Sequence, residues 1–383
     1  MKKIGQYIKN HICHYPVSIN LNYFWSIGSS LGLFLVLQII SGLVLAMQYI
    51  PHIDYAFQSI EMHIMYNIKN GWLIRYIHSN GASIIFILLY SHMARGLYFQ
   101  SYKIPRQEIW MTGITLFILM AGTAFLGYIL PWGQMSYWGA TIITNIITAI
   151  PIIGDKIVIW IWGSFSVAGS TLLRFFILHF ILPFIIALLS VLHLLFLHQI
   201  SSSNPVGVES RGSELVRFFP YFVIKDLYFF FVCLIFFFFL IGYWPTLFSH
   251  PDNCIPASPL VTPSHIVPEW YFLPFYAILR AIPSKLGGAI AMGGSMVLLY
   301  FLPALDRTKI NGLVFKKGYF FFLFFFFFDI ILLGWIGGKA PSLFLVFIDQ
   351  LLTIFYFLYF LIFLPVYSLY EYLEQKLFIK KCN

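Results

Sequence analysis

Eight stretches of this chain each run for about twenty residues or more with few or no charges, and no other feature limits its fold so strongly. They cover about Trp25–Ile50, Trp72–Tyr98, Ile109–Ile129, Thr171–Gln199, Phe222–Tyr243, Gly287–Leu305, Gly318–Gly337 and Ser342–Tyr367. Each is long enough to cross the hydrocarbon core as a helix. The 383 residues are 60% hydrophobic and only 10% charged, too apolar to be hidden in one water-soluble core. The expected fold is therefore an all-α polytopic membrane protein with eight transmembrane helices. Two connections read as structured. Gln134–Ile150 is amphipathic enough to lie on the membrane surface. Ser258–Arg280, rich in proline and aromatics, reads as a folded loop with a short helix. The first apolar run is too long for a signal peptide and lacks a small-residue cleavage site, so it is expected to be the first span.

The formal charge of +9 does not indicate nucleic-acid binding, because basic residues in such a chain sit in loops and orient it. If the N-terminus is inside, only Lys69, Arg75, Lys156, Arg174, Arg280, Lys285 and Lys339 of the 23 basic residues fall outside. Both termini are then expected on the inner side. Four scattered cysteines, Cys13, Cys233, Cys254 and Cys382, form no CxxC or CxxCH, which argues against a zinc site, a disulfide framework and covalent heme. The phenylalanine runs Phe236–Phe239 and Phe320–Phe328 read as lipid-facing filler.

Two stretches carry a histidine at each end: "HSNGASIIFILLYSH" from His78 to His92, and "HFILPFIIALLSVLH" from His179 to His193. Fourteen residues advance about 21 Å along a helix and return to within roughly 40° of the starting face. Each helix thus presents two imidazoles on one face near opposite membrane surfaces. Both helices run outside to inside, so His78 can meet His179 and His92 can meet His193. A lone histidine in a membrane helix is equally well explained by a packing hydrogen bond. Two matched pairs in register are harder to explain that way, since ionisable groups there are costly and usually functional. Zinc would require three or four protein ligands. Two imidazoles per site point instead to bis-histidine heme.

Glycine repeats the spacing. Gly28 and Gly42 lie on the first helix, Gly113 and Gly127 on the third, at the depths of the histidine pairs. Singly, each fits ordinary small-residue packing. Together they suit flat macrocycles, which require backbone recesses on the helices that supply no ligand. Arg75, Arg95 and Arg174 lie within about a turn of the histidines, as propionate partners or interfacial anchors.

With these residues in view, the chain resembles cytochrome b of the respiratory complex III family over essentially its full length. The resemblance is carried by "RYIHSNGAS" (Arg75–Ser83), "GYILPWGQMSYWGATIIT" (Gly127–Thr144), "RFFILHFILPF" (Arg174–Phe184), "HPDN" (His250–Asn253) and "PEWYFLPFYAILR" (Pro268–Arg280). The unbroken chain and the 14-residue spacing on the fourth helix favour the respiratory type over its photosynthetic relative. The resemblance implies an oxidoreductase subunit with two non-covalent b-type hemes and ubiquinone/ubiquinol as substrate. Quinol would be oxidised at an outer site and quinone reduced at an inner one, contributing to a proton gradient. Implied partners are a Rieske iron–sulfur protein, a cytochrome c-type subunit, accessory subunits, membrane lipid and a second copy of the complex, with no nucleic acid.

Residue by residue, the resemblance puts Glu269, Tyr271 and Tyr276 in outer-site catalysis, with Glu269 as proton acceptor. Phe125, Tyr128, Gly139 and Pro268 would surround the quinol, and a side chain at Gly139 would intrude on that pocket. Ser29, His198, Phe218, Lys225 and Asp226 would form the inner site, where a histidine and an aspartate can bond the two quinone oxygens. Residues 1–205 would form a diheme domain and 206–383 a C-terminal domain. The expected location is the mitochondrial inner membrane, with both termini on the matrix side, or else a bacterial plasma membrane. Two competing readings exist. A heme-free proton-coupled transporter would leave the glycine spacing unexplained, and a structural diheme anchor would not require "PEWY".

Overall fold

The computed structural model describes residues 14–308, 316 and 318–382, with side chains described as far as residue 377. Cys13, Lys2, Lys3, Lys9, Lys309 and Lys317, used in the cysteine and charge arguments, lie outside the described residues, as do the side chains of Lys380, Lys381 and Cys382. Among the described residues, eight helices are long and apolar enough to cross a membrane. They are Tyr23–Ala46, Gly71–Tyr98, Gln107–Ile129, Gly169–Ile200, Tyr221–Tyr243, Lys285–Leu305, Tyr319–Gly337 and Leu343–Leu377, the first to eighth helices below.

Two ends differ from expectation. The first helix stops at Ala46 rather than near Ile50, because Pro51 disfavours helical backbone at the residue before it. The eighth continues well past Tyr367. A π-helical turn at Tyr359–Phe363 precedes Pro365, so the proline falls where a new helical segment begins and its missing N–H is tolerated.

The first helix packs along the second, and the third along the fourth. Each histidine-bearing helix therefore has a glycine-bearing neighbour. The fifth helix covers the first and second. A buried cluster including Phe86, Phe117, Tyr271, Phe275, Phe326, Tyr356 and Phe360 joins this bundle to the last three helices. Small or flat side chains let these helices approach closely, and in lipid that packing drives association. Before the first helix, Pro16–Ser18 pairs antiparallel with Leu215–Arg217, which precedes the fifth.

The surface segment is a helix, Gln134–Asn145, followed by a 3-10 turn at Ile146–Ala149. A further helix, Gly154–Trp162, ends at Gly163 with φ +69°. A side chain at Gly163 would meet the Arg174 guanidinium. The loop before the sixth helix folds as a 3-10 turn, Trp270–Phe272, and a short helix, Leu273–Ala281. In the phenylalanine-rich seventh helix, Phe320, Phe321, Phe324 and Phe325 are exposed on the outer face of the bundle. Phe326 is buried and stacks on Tyr359 at 4.2 Å.

Candidate functional site

The four histidines meet in the expected pairs. The ring centroids of His78 and His179 are 6.1 Å apart, and those of His92 and His193 are 6.4 Å apart. Each ring lies against one of the spaced glycines. A methyl group at Gly42 would come within 2.9 Å of His78, at Gly28 within 3.0 Å of His92, and at Gly113 within 3.3 Å of His193. One at Gly127 would collide with His179.

The Nδ1 atoms are engaged. His179 Nδ1 donates to the Thr123 carbonyl at 2.8 Å. The Ser41 hydroxyl, already donating to the Leu37 carbonyl, lies 3.0 Å from His78 Nδ1 and so acts as its acceptor. Thr112, donating to the Glu108 carbonyl, does the same for His193 at 2.9 Å. In these three rings Nδ1 carries the proton, and Nε2 keeps the lone pair that a metal requires. His92 differs, since Arg95 donates to its Nδ1 at 3.2 Å. Ser41 and Thr112 are not evident as partners from the sequence alone. Their signal is position: each immediately precedes a spaced glycine.

Arg75 and Arg95 each leave a buried Nε without a partner, which suits an anionic group. Arg95 also packs over the Trp25 ring at 5.4 Å. Arg174 is placed differently. It is exposed, and its guanidinium donates to the carbonyls of Trp160 and Ile161. This geometry favours the anchoring role over a propionate contact, because those carbonyls end the neighbouring short helix and attract a cation.

A cavity opens from the outer histidine pair into the loops. Its walls include Arg75, His78, Tyr128, His179, Glu269 and Tyr271, together with His250 and Asn253 of "HPDN". Glu269 is half-buried. Burial pushes its carboxyl up to about 7, while Arg75 pulls the other way. The Tyr271 ring stacks on Phe86 at 3.9 Å, and its carbonyl accepts from the Tyr90 hydroxyl. Trp270 donates to Ser83 at 3.1 Å. The roof is fastened by Ser136, whose N–H and hydroxyl both donate to Asn253 at 2.9 Å, and by Gln134, which bonds Ser258 and Val261.

The other outer-site candidates do not line this cavity. Phe125 packs toward Phe175, and Tyr276 lies beneath Arg280. Pro268 is half-buried. Gly139 faces open space, with no atom within 4 Å of an added methyl group, so a small side chain there would not intrude on the cavity.

At the expected inner site, Asp226 faces the hydroxyls of Ser26 and Ser29. Lys225 donates to the Leu21 carbonyl at 2.5 Å and lies over the rings of Tyr23 and Phe222. Phe218 stacks on Phe222, and His198 on Tyr15 at 4.4 Å. Tyr15, Phe218 and Phe222 belong to one apolar cluster that underlies this group.

Known proteins agree with this architecture. The family model "Cytochrome b/b6/petB" matches residues 12–201, and "Cytochrome b(C-terminal)/b6/petD" matches residues 256–357. The cytochrome b of Rickettsia prowazekii is 52% identical over 362 residues, covering 94% of this chain and 91% of its own. That of Chondrus crispus is 50% identical over 359 residues, covering 94% of both. A solved structure, "Hyperthermophilic respiratory Complex III", superposes with a TM-score of 0.92 at 34% identity and covers 97% of both chains. Two matched family models in chain order, on an eight-helix fold with two facing histidine pairs, establish that the chain belongs to the cytochrome b family, the heme-binding membrane subunits of respiratory complex III.

Proposed function

We propose that this chain is the diheme core of a quinol–cytochrome c reductase. The observation that carries the reading is the pair of facing imidazole sets, each ring backed by glycine, with three of four Nδ1 atoms bonded so that Nε2 is the free ligand atom. His78 and His179 would hold an outer b-type heme, and His92 and His193 an inner one. Gly42 and Gly127, and Gly28 and Gly113, would leave room for them. Arg75 and Arg95 would pair with propionates, and Arg95 would then release His92 Nδ1. When bound, the hemes supply two one-electron carriers spaced across a core of ~30 Å.

This chain's residues supply the proton chemistry and the positioning. Glu269 accepts a proton from quinol bound in the outer cavity, because a carboxyl held near 7 is divided between both states at neutral pH. Tyr271 and Tyr128 shape the cavity wall. On the inner side, Asp226, with the Ser29 hydroxyl beside it, delivers protons to a bound quinone, and His198 serves as a second donor. The proton thus leaves outside and enters inside. A Rieske iron–sulfur protein and a c-type cytochrome would receive the remaining electron in turn.

We place the diheme unit in residues 1–205 and the remainder of the outer site in 206–383. The location is the respiratory membrane, mitochondrial in this reading, with both termini on the inner side. A reduced-minus-oxidised spectrum with pyridine-hemochrome quantitation tests the core claim. Two b-type hemes per chain, with loss on replacing His78 or His92, is the expected result; a colourless, folded protein overturns it.

A further inference from the structure

The short helix Leu273–Ala281 follows Glu269 directly and is held at both ends. Near its start, the second helix grips the chain: Ser83 accepts from Trp270, and Tyr90 donates to the Tyr271 carbonyl. At its far end, two consecutive residues of the eighth helix grip its last two residues. Gln350 donates to the Ala281 carbonyl at 3.1 Å, and Asp349 lies 3.8 Å from Arg280 Nε.

Arg280 is also bound to the seventh helix. Its two terminal nitrogens donate to the carbonyls of Ile336 and Lys339, each at 2.7 Å, and its guanidinium covers the Tyr276 ring. Carbonyls solvate a cation without neutralising it. Asp349 has 0% side-chain exposure, and neither oxygen has a hydrogen-bond partner. Among the described residues, Arg280 is its ion-pair partner. A bare carboxylate inside a membrane span is costly unless a countercharge stands beside it.

We propose that Asp349 is a positioning residue for outer-site quinol oxidation: with Gln350 it clamps the Arg280 end of the short helix and so fixes where Glu269 stands in the cavity. The inference rests on the outer-site reading given above. The helix is a rigid rod with Glu269 beyond one end and the clamp at the other. Releasing the clamp rotates the rod about its anchor on the second helix. Asp349 lines neither the cavity nor the pocket beside the outer histidine pair, so its removal alters geometry without removing a reacting group. Charged and titratable neighbours of the clamp are His265, Tyr276 and Lys339; those of Glu269 are Arg75, Tyr128, His250 and Tyr271.

The test measures quinol–cytochrome c turnover against pH in the assembled complex, with heme content as the control for folding. Asp349→Asn is expected to lower kcat about fivefold with KM changed less than about twofold, because catalysis depends more steeply on placement than binding does. Moving Glu269 relative to Arg75, the charge that holds its carboxyl down, should also displace the pH midpoint. Asp349→Glu should recover most of the turnover. The double variant Arg280→Gln/Asp349→Asn leaves no bare charge, so it should still lose turnover and displace the midpoint as the single variant does. Parental turnover in the double variant overturns the proposal, whether or not Asp349→Asn assembles. Glu269→Gln separates the two ideas. If it keeps the parental pH profile, the outer-site reading itself fails; if it abolishes the profile while the Asp349 variants match the parent, only the clamp fails.

Discussion

At the scale of single residues, the histidine sites depend on which ring nitrogen carries a proton. A carbonyl settles this for His179, since it can only accept. Ser41 and Thr112 settle it for His78 and His193, because each hydroxyl proton is already given to its own helix backbone. Removing such a partner weakens a metal ligand without deleting it, and typically costs about 10–100-fold in affinity. Thr112→Val is therefore expected to assemble with heme but to lose the inner one first in a detergent-dilution series, followed by absorbance. Equal retention of both hemes would count against the assignment. Glu269 makes a separate prediction. A proton acceptor works only when ionised, and its carboxyl stands at about 7. Turnover should therefore rise with pH through a midpoint near that value, and Glu269→Gln should flatten the rise and lower the plateau by about 10²-fold or more. A parental pH profile in that variant would remove Glu269 from the role.

At the scale of elements, what the sequence could reveal follows from how far apart the interacting parts lie. The histidine and glycine spacings were legible because helical periodicity is local, and fourteen residues on one helix return to one face whatever surrounds it. The bonds from Ser41 and Thr112 were not, because they depend on the rotation of one helix against its neighbour. The choice between the two roles of Arg174 was open in the sequence for the same reason, since the helix end that captures it is created by the turn at Gly163. The least legible group is a buried polar knot at the inner ends of the second, sixth, seventh and eighth helices. Lys103 pairs with Asp306 at 3.1 Å, and Lys316 with Glu371 at 3.1 Å. Tyr102 donates to Asp306 at 2.6 Å, and Thr308 at 2.7 Å. In the sequence Lys103 looks like one more basic loop residue, yet it is 5% exposed. Breaking one side of a buried pair strands the other, at a cost of about 3–5 kcal/mol, whereas replacing both with apolar residues is close to neutral. Asp306→Asn should thus lower the thermal midpoint of the assembled complex far more than Lys103→Met/Asp306→Leu. Similar losses in the two would mean that the pair is not what holds these helix ends together.

At the scale of the whole molecule, an even number of spans and the bias of basic residues predict one orientation, and the cysteines can read it out. Cys254 is exposed in the loop that ends "HPDNC", on the side assigned as outer, while Cys233 lies within the fifth helix. That loop also roofs the cavity holding Glu269, so the side on which Cys254 reacts is the side on which quinol would be oxidised. Burial pushes the Cys254 thiol up, with Glu61 adding to the shift and Arg75 opposing it. Its thiolate, the reactive form, therefore grows in only as pH rises above the usual range for cysteine. A membrane-impermeant maleimide applied to sealed, right-side-out vesicles should label Cys254 from the outer side, faster at pH 9 than at pH 7, and should leave Cys233 unmodified until detergent is added. If Cys254 reacts only from the inner side, the stack is inverted. The histidine pairs would survive that result, but the Glu269 cavity would open to the wrong compartment, and the direction of proton release drawn here would have to be reversed.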